Sequence, residues 1–97
     1  MDKAIIRTID RAVRTGDVTV AEYLIDEHPE LISTPIHSCN KDLPLSHAAN
    51  IGQLNIVVAL LRCHPADVDH AFGRACLQGH LDVVQYLLEK KPQLGAI

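Results

Sequence analysis

Apolar residues recur along this chain in one pattern, three times over. Residues 12–25, 48–61 and 75–88 align without gaps. Each stretch opens on a small residue (Ala12, Ala48, Ala75) and reaches a glycine four positions later (Gly16, Gly52, Gly79). Four and five positions beyond each glycine stand Val20/Ala21, Ile56/Val57 and Val83/Val84. Eight and nine beyond stand Leu24/Ile25, Leu60/Leu61 and Leu87/Leu88. Pairs four residues apart make one apolar stripe along a helix. Pro29, Pro65 and Pro92 follow at one common offset, and the residue before a proline is pushed out of the α region. The pattern predicts helices over 3–15, 18–27, 44–51, 54–63, 69–78 and 81–90. Each glycine joins two antiparallel helices through a tight turn that other residues adopt at a cost. Thr19, Asn55 and Asp82 fall in the first turn of the second helices, where short polar side chains suit unpaired N–H groups.

These units resemble the ankyrin repeat over nearly the whole chain. Pro44-Leu45-Ser46-His47-Ala48-Ala49 followed by Gly52 matches the family's helix opening, and Gly79-His80-Leu81-Asp82-Val83-Val84-Gln85-Tyr86-Leu87-Leu88 is similar to its second helix. Leu43 and Ser46 replace the motif's Thr and His, so the hydrogen bonds of that pair must be absent or rebuilt. His28, His64 and Lys91 stand where the family usually ends the helix on Gly. The resemblance implies an all-α solenoid of three helix–turn–helix units, approximately 1–34, 35–67 and 68–97.

The spacing departs from that pattern. Gly16 to Gly52 is 36 residues and Gly52 to Gly79 only 27, against about 33 for the family. Leu31 to Asp42 is long enough for a β-hairpin finger, whereas Ala66 to Asp69 is not. One finger is therefore expected, with the other shortened or missing and Asp67 or Asp69 capping the following helix.

Composition narrows the class. The 97 residues are 47% hydrophobic with only Tyr23, Tyr86 and Phe72 aromatic and no Trp, as expected of thin layers built from Ala, Val, Ile and Leu. A net charge of −3 disfavours a nucleic-acid binder, which is typically strongly basic. The longest apolar run, Ile56 to Leu61, is too short to span a bilayer, and no signal-peptide stretch opens the chain. Cys39, Cys63 and Cys76 form no disulfide framework, so a reducing, cytoplasmic setting is the simpler expectation. Cys76 takes the second small position of its unit and is expected to be buried; Cys39 is expected to be the accessible thiol. His37-Ser38-Cys39 and Cys63-His64 are not familiar zinc-ligand spacings, so no metal or other cofactor is expected. No phosphate loop or nucleophile motif points to catalysis.

Charge is sorted within the first unit. Lys3, Arg7, Arg11 and Arg14 share one face of one helix, and with Asp2 and Asp10 residues 1–16 carry +2. Residues 17–30 carry Asp17, Glu22, Asp26, Glu27 and Glu30, or −5. An ordinary solvated face would also explain such a stripe. The resemblance implies partner contact through a concave face formed by the first helices. Carried across residue by residue, it gives Arg7, Arg11, Arg14 and Thr15; His47, Asn50 and Ile51; and Arg74, Leu77 and Gln78. The finger adds Ile36, His37, Ser38, Asn40 and Lys41. Ile51 and Leu77 are apolar on adjacent units and would form a small patch rimmed by Arg14 and Arg74. The function implied is protein–protein recognition of an acidic or mixed acidic–apolar surface, with no chemistry of its own and no nucleic-acid, membrane or metal partner. Two other roles stay open: a structural part of a longer repeat array, since Pro92-Gln93-Leu94 echoes Pro29-Glu30-Leu31, and an inhibitor occluding an enzyme cleft.

Overall fold

A computed structural model of the chain describes residues 3–36, 42–63 and 68–91. Six helices follow one another: α1 (Lys3–Thr15), α2 (Val18–Glu27), α3 (Pro44–Ile51), α4 (Leu54–Cys63), α5 (Val68–Gln78) and α6 (Leu81–Lys90). A short 3-10 helix, Pro29–Ser33, follows α2. The helix limits are those the periodicity predicts, except that α5 begins one residue earlier. No strand occurs among the described residues.

Each glycine turn is closed in the same way. Gly16, Gly52 and Gly79 take φ of 76°, 79° and 73°. The backbone N–H after each glycine donates to the carbonyl of the small residue before it: Asp17 to Ala12 at 2.9 Å, Gln53 to Ala48 at 2.9 Å, His80 to Ala75 at 3.0 Å. This six-residue closure satisfies a carbonyl that the end of the first helix leaves unpaired. Gly52 is held from outside as well, because a Cβ there would lie 2.6 Å from His80 Nδ1. The cap on α2 differs from expectation: Asp17 Oδ1, not Thr19, accepts from Val20 N at 3.2 Å. In α6, Asp82 Oδ1 accepts from the adjacent Val83 N at 2.8 Å. Asp69 lies inside the first turn of α5 and pairs with Lys91 Nζ at 3.0 Å. Asp67 lies outside the described residues.

The first helices α1, α3 and α5 pack side by side, as do α2, α4 and α6, giving two layers in a body of 39 × 25 × 20 Å. Between the layers lie Ala12, Ala48 and Ala75, all buried, small side chains that let the paired helices approach closely. Ile9, Ile25, Ile56, Leu60, Val83 and Leu87 fill the remainder. Leu31 plugs the core from the 3-10 helix, a use of the Pro29 segment that the helical stripes do not reveal. α3 is the most enclosed helix, with Pro44 through Ala49 all buried between its neighbours. The buried Ser46 therefore sits inside the stack, at the position where the family motif carries His.

The segment before α3 is drawn together at its base, where Ile36 N donates to Asp42 O at 3.1 Å. Residues 37–41 between them lie outside the described residues, and with them the expected finger tip and Cys39. Cys76 contradicts expectation, being exposed as a free thiol. Its counterparts Val13 and Ala49 are buried; the small position is covered only where a following unit packs on it.

Candidate protein-interaction surface

Numbering each unit from its turn glycine brings out the chemistry of the first-helix layer. Five residues before the glycine stand Arg11, His47 and Arg74. All three could carry positive charge, but their surroundings differ. His47 is 3% exposed, and its Nε2 lies 3.0 Å from Asp10 Oδ1 of the unit before. Arg74 sends an N–H of its guanidinium to Asp42 Oδ1 at 3.1 Å, and the same oxygen lies 3.0 Å from His70 Nε2. The Asp42 side chain is 1% exposed, so the third unit's basic groups are tied to a buried acid at the entry to α3. Arg11 has no such acid behind it and is exposed, with no partner among the described residues.

Arg7 lies one helical turn before Arg11 and is likewise exposed without a partner among the described residues. Arg14 is exposed but partly engaged, its Nε 3.3 Å from Asp10 Oδ2. Together Ala4, Arg7, Thr8, Asp10, Arg11 and Arg14 line a groove of about 440 Å³. Asp10 thus faces two basic side chains, Arg14 on its own helix and His47 on the next. Among the described residues, the exposed basic side chains of α1 without a partner are Lys3, Arg7 and Arg11, and the Arg7–Arg11 pair is able to receive carboxylates or other anionic groups.

The other expected contact residues divide. Thr15 is exposed, with its hydroxyl turned back to Arg11 O at 2.8 Å. Asn50 and Ile51 are half-buried, while Leu77 and Gln78 are exposed. Ile36 and His47 are buried: Ile36 lies at the base of the loop, where its N–H donates to Asp42 O, and His47 lies against Asp10 of α1. His37, Ser38, Asn40 and Lys41 lie outside the described residues. Arg74 does not stand as a free rim beside Leu77, because Asp42 holds its guanidinium. Sequence reasoning missed Asp10 and Asp42 as the groups that neutralise Arg14 and Arg74. The i,i+4 spacing of Asp10 and Arg14 signals the first pair; the second joins residues 32 apart and leaves no local signal.

Two further side chains bind unit to unit. Gln53 Nε2 donates to Arg14 O at 2.8 Å, and His80 Nε2 lies 2.9 Å from Asn50 O. On the second-helix layer, Leu61, Arg62, Tyr86 and Lys90 border a smaller hollow of about 280 Å³, with Lys90 Nζ 5.5 Å from the Tyr86 ring centre. No group of three or more metal-ligating side chains is brought together among the described residues. No helix there is long and apolar enough to cross a membrane.

Comparison with known proteins accords with this architecture. A family profile described as ankyrin repeats, in three copies, matches residues 9–96. The chain is 33% identical over 98 aligned residues to alpha-latrocrustotoxin-Lt1a of Latrodectus tredecimguttatus. That alignment takes in 91% of this chain and 6% of the toxin, so the chain spans only a small part of that relative. No solved structure matched significantly. With three glycine-turned units in two helical layers and a profile match across nearly its full length, the chain belongs to the ankyrin-repeat family.

Proposed function

We propose that this protein is a recognition module that binds another protein through the first-helix layer, with Arg7 and Arg11 as the anchoring cations. Ankyrin repeats are in general protein–protein interaction modules without catalysis of their own. The observation that carries the finer reading is the sorting of charge among equivalent positions. His47 and Arg74 each face a carboxylate from the unit before, whereas Arg11 and its neighbour Arg7 face solvent. Two guanidinium groups one helical turn apart, without a partner among the described residues and at a groove of about 440 Å³, suit an acidic segment or acidic helix face. Leu77, exposed at the far end of the layer, adds the apolar part of a mixed surface. The reading places the module in the cytoplasm, where its thiols stay reduced, and involves no nucleic acid, membrane or metal.

Capture of the partner from the native cell, followed by titration against the Arg7→Glu/Arg11→Glu/Arg14→Glu chain, tests this. The expected result is a normally folded variant that has lost most of its affinity, with wild-type binding that weakens as salt rises. Full affinity in the folded variant refutes the assignment. An activity assay on the captured partner separates a plain adaptor from an inhibitor that occludes an enzyme cleft.

A further inference from the structure

The outward face of the second helices changes character from the first unit to the third. Seven residues after the turn glycine stand Tyr23 and Tyr86; ten after, Asp26, Arg62 and Glu89; eleven after, Glu27 and Lys90. In α6 the aromatic ring has a cation of its own, with Lys90 Nζ 5.5 Å from the Tyr86 ring centre. In α2 the equivalent place holds Glu27, and Tyr23 is 63% exposed. Glu22, Asp26 and Glu27 are exposed around it without an ionic partner among the described residues.

The seam between α4 and α6, in the same layer, offers the opposite chemistry. Leu61 and Tyr86 supply apolar walls to the hollow of about 280 Å³, and Arg62 and Lys90 complete it. Arg62 is exposed without a partner among the described residues. One layer thus carries an exposed tyrosine ringed by carboxylates at α2, and a part-apolar hollow with two cations at the α4–α6 seam.

We propose that these two regions recognise each other between two copies of this chain, paired back to back through their second-helix layers. A two-fold axis running along the helices beside α4 lays α2 of each copy into the α4–α6 seam of the other. Such an axis preserves helical level. Asp26 and Glu27 of one copy therefore arrive level with Arg62 and Lys90 of the second, and Tyr23 meets Leu61 and Tyr86. Glu89 is a like charge beside that path. Pairing α2 with the Arg7–Arg11 stripe instead would join opposite layers and run on without closing, whereas the second-helix pairing closes as a dimer. Three helices of ten residues make a face of about 30 × 15 Å. That is little more than half of the about 800 Å² per partner in a standard interface, so the dimer is weak.

Sedimentation velocity of the 97-residue chain over a concentration series tests this. The expected result is a monomer–dimer equilibrium with a Kd on the order of 100 μM, weakened about tenfold between about 0.05 and about 0.5 M salt. Arg62→Glu/Lys90→Glu and Glu22→Lys/Asp26→Lys/Glu27→Lys chains, each checked for an unchanged melting curve, are expected to be monomeric alone. Mixed in equal amounts they are expected to form a one-to-one complex, because both contacts are then restored with reversed sign. Glu89→Lys, which needs no loss of association to be read, is expected to tighten the wild-type dimer about fivefold. A wild-type chain that stays monomeric at millimolar concentration in low salt overturns the proposal. So does a mixture of the two reversed chains that fails to associate, or a Glu89→Lys dimer no tighter than wild type. A dimer lost in Arg7→Glu/Arg11→Glu but kept in Arg62→Glu/Lys90→Glu assigns the acidic face to the first-helix layer, and equally overturns it.

Discussion

Arg11 and Arg74 occupy the same place in the first and third units, yet one faces solvent and the other is held by a buried carboxylate. The middle residue of that column, His47, is held as Arg74 is, by Asp10 from the unit before. Register within a repeat decides where a side chain emerges. The preceding unit decides whether its charge is free. The first unit has no described unit before it to supply an acid, and Arg7 and Arg11 are exposed without a partner among the described residues.

The largest effect expected on this comparison comes from Asp42. Asp42→Ala removes the buried acid that Arg74 and His70 share and should lower unfolding free energy by about 2–3 kcal/mol in urea denaturation. Charge reversal at the other end should do the opposite. Arg7→Glu with Arg11→Glu should leave stability within about 0.5 kcal/mol, as for exposed side chains with no partner among the described residues, while partner affinity falls about thirtyfold.

The turns offer the same contrast between a covered and an open position. Gly52→Ala adds a methyl group against His80 on top of the left-handed backbone and should cost about 2 kcal/mol, whereas Gly79→Ala, with nothing beside it, should cost about 1. Thermal unfolding of the two variants side by side checks this; equal shifts would mean that the His80 contact contributes nothing. The smallest effect belongs to Arg14→Ala, which removes an exposed i,i+4 pair with Asp10 and should change stability by no more than about 0.5 kcal/mol.

Much of this fold is legible in the sequence because local rules set it. Gly16, Gly52 and Gly79 mark turns that demand positive φ, the aliphatic pairs mark the buried stripes, and Pro29 marks the end of α2. Local rules fail where the answer depends on a neighbouring unit. Cys76 sits at a position that is buried in the other two units and exposed in the third, after which no further unit is described. Asp42 and Arg74 meet across 32 residues of sequence, so a charged side chain that reads as surface becomes an internal pair. Ile36 reads as a finger residue and becomes core because its amide closes the base of the loop on Asp42. Asp17 outcompetes Thr19 as the cap of α2 because it directly precedes the helix and its carboxylate reaches the Val20 amide.

Arg11 and Arg74 are expected to differ in partner binding because Arg74 is already paired with Asp42 and Arg11 is exposed. Isothermal titration of the captured partner against Arg11→Gln and Arg74→Gln chains tests it most directly. The expected result is a Kd about tenfold weaker for Arg11→Gln and changed by less than about threefold for Arg74→Gln. Equal losses at the two positions, or the larger loss at Arg74, would contradict it.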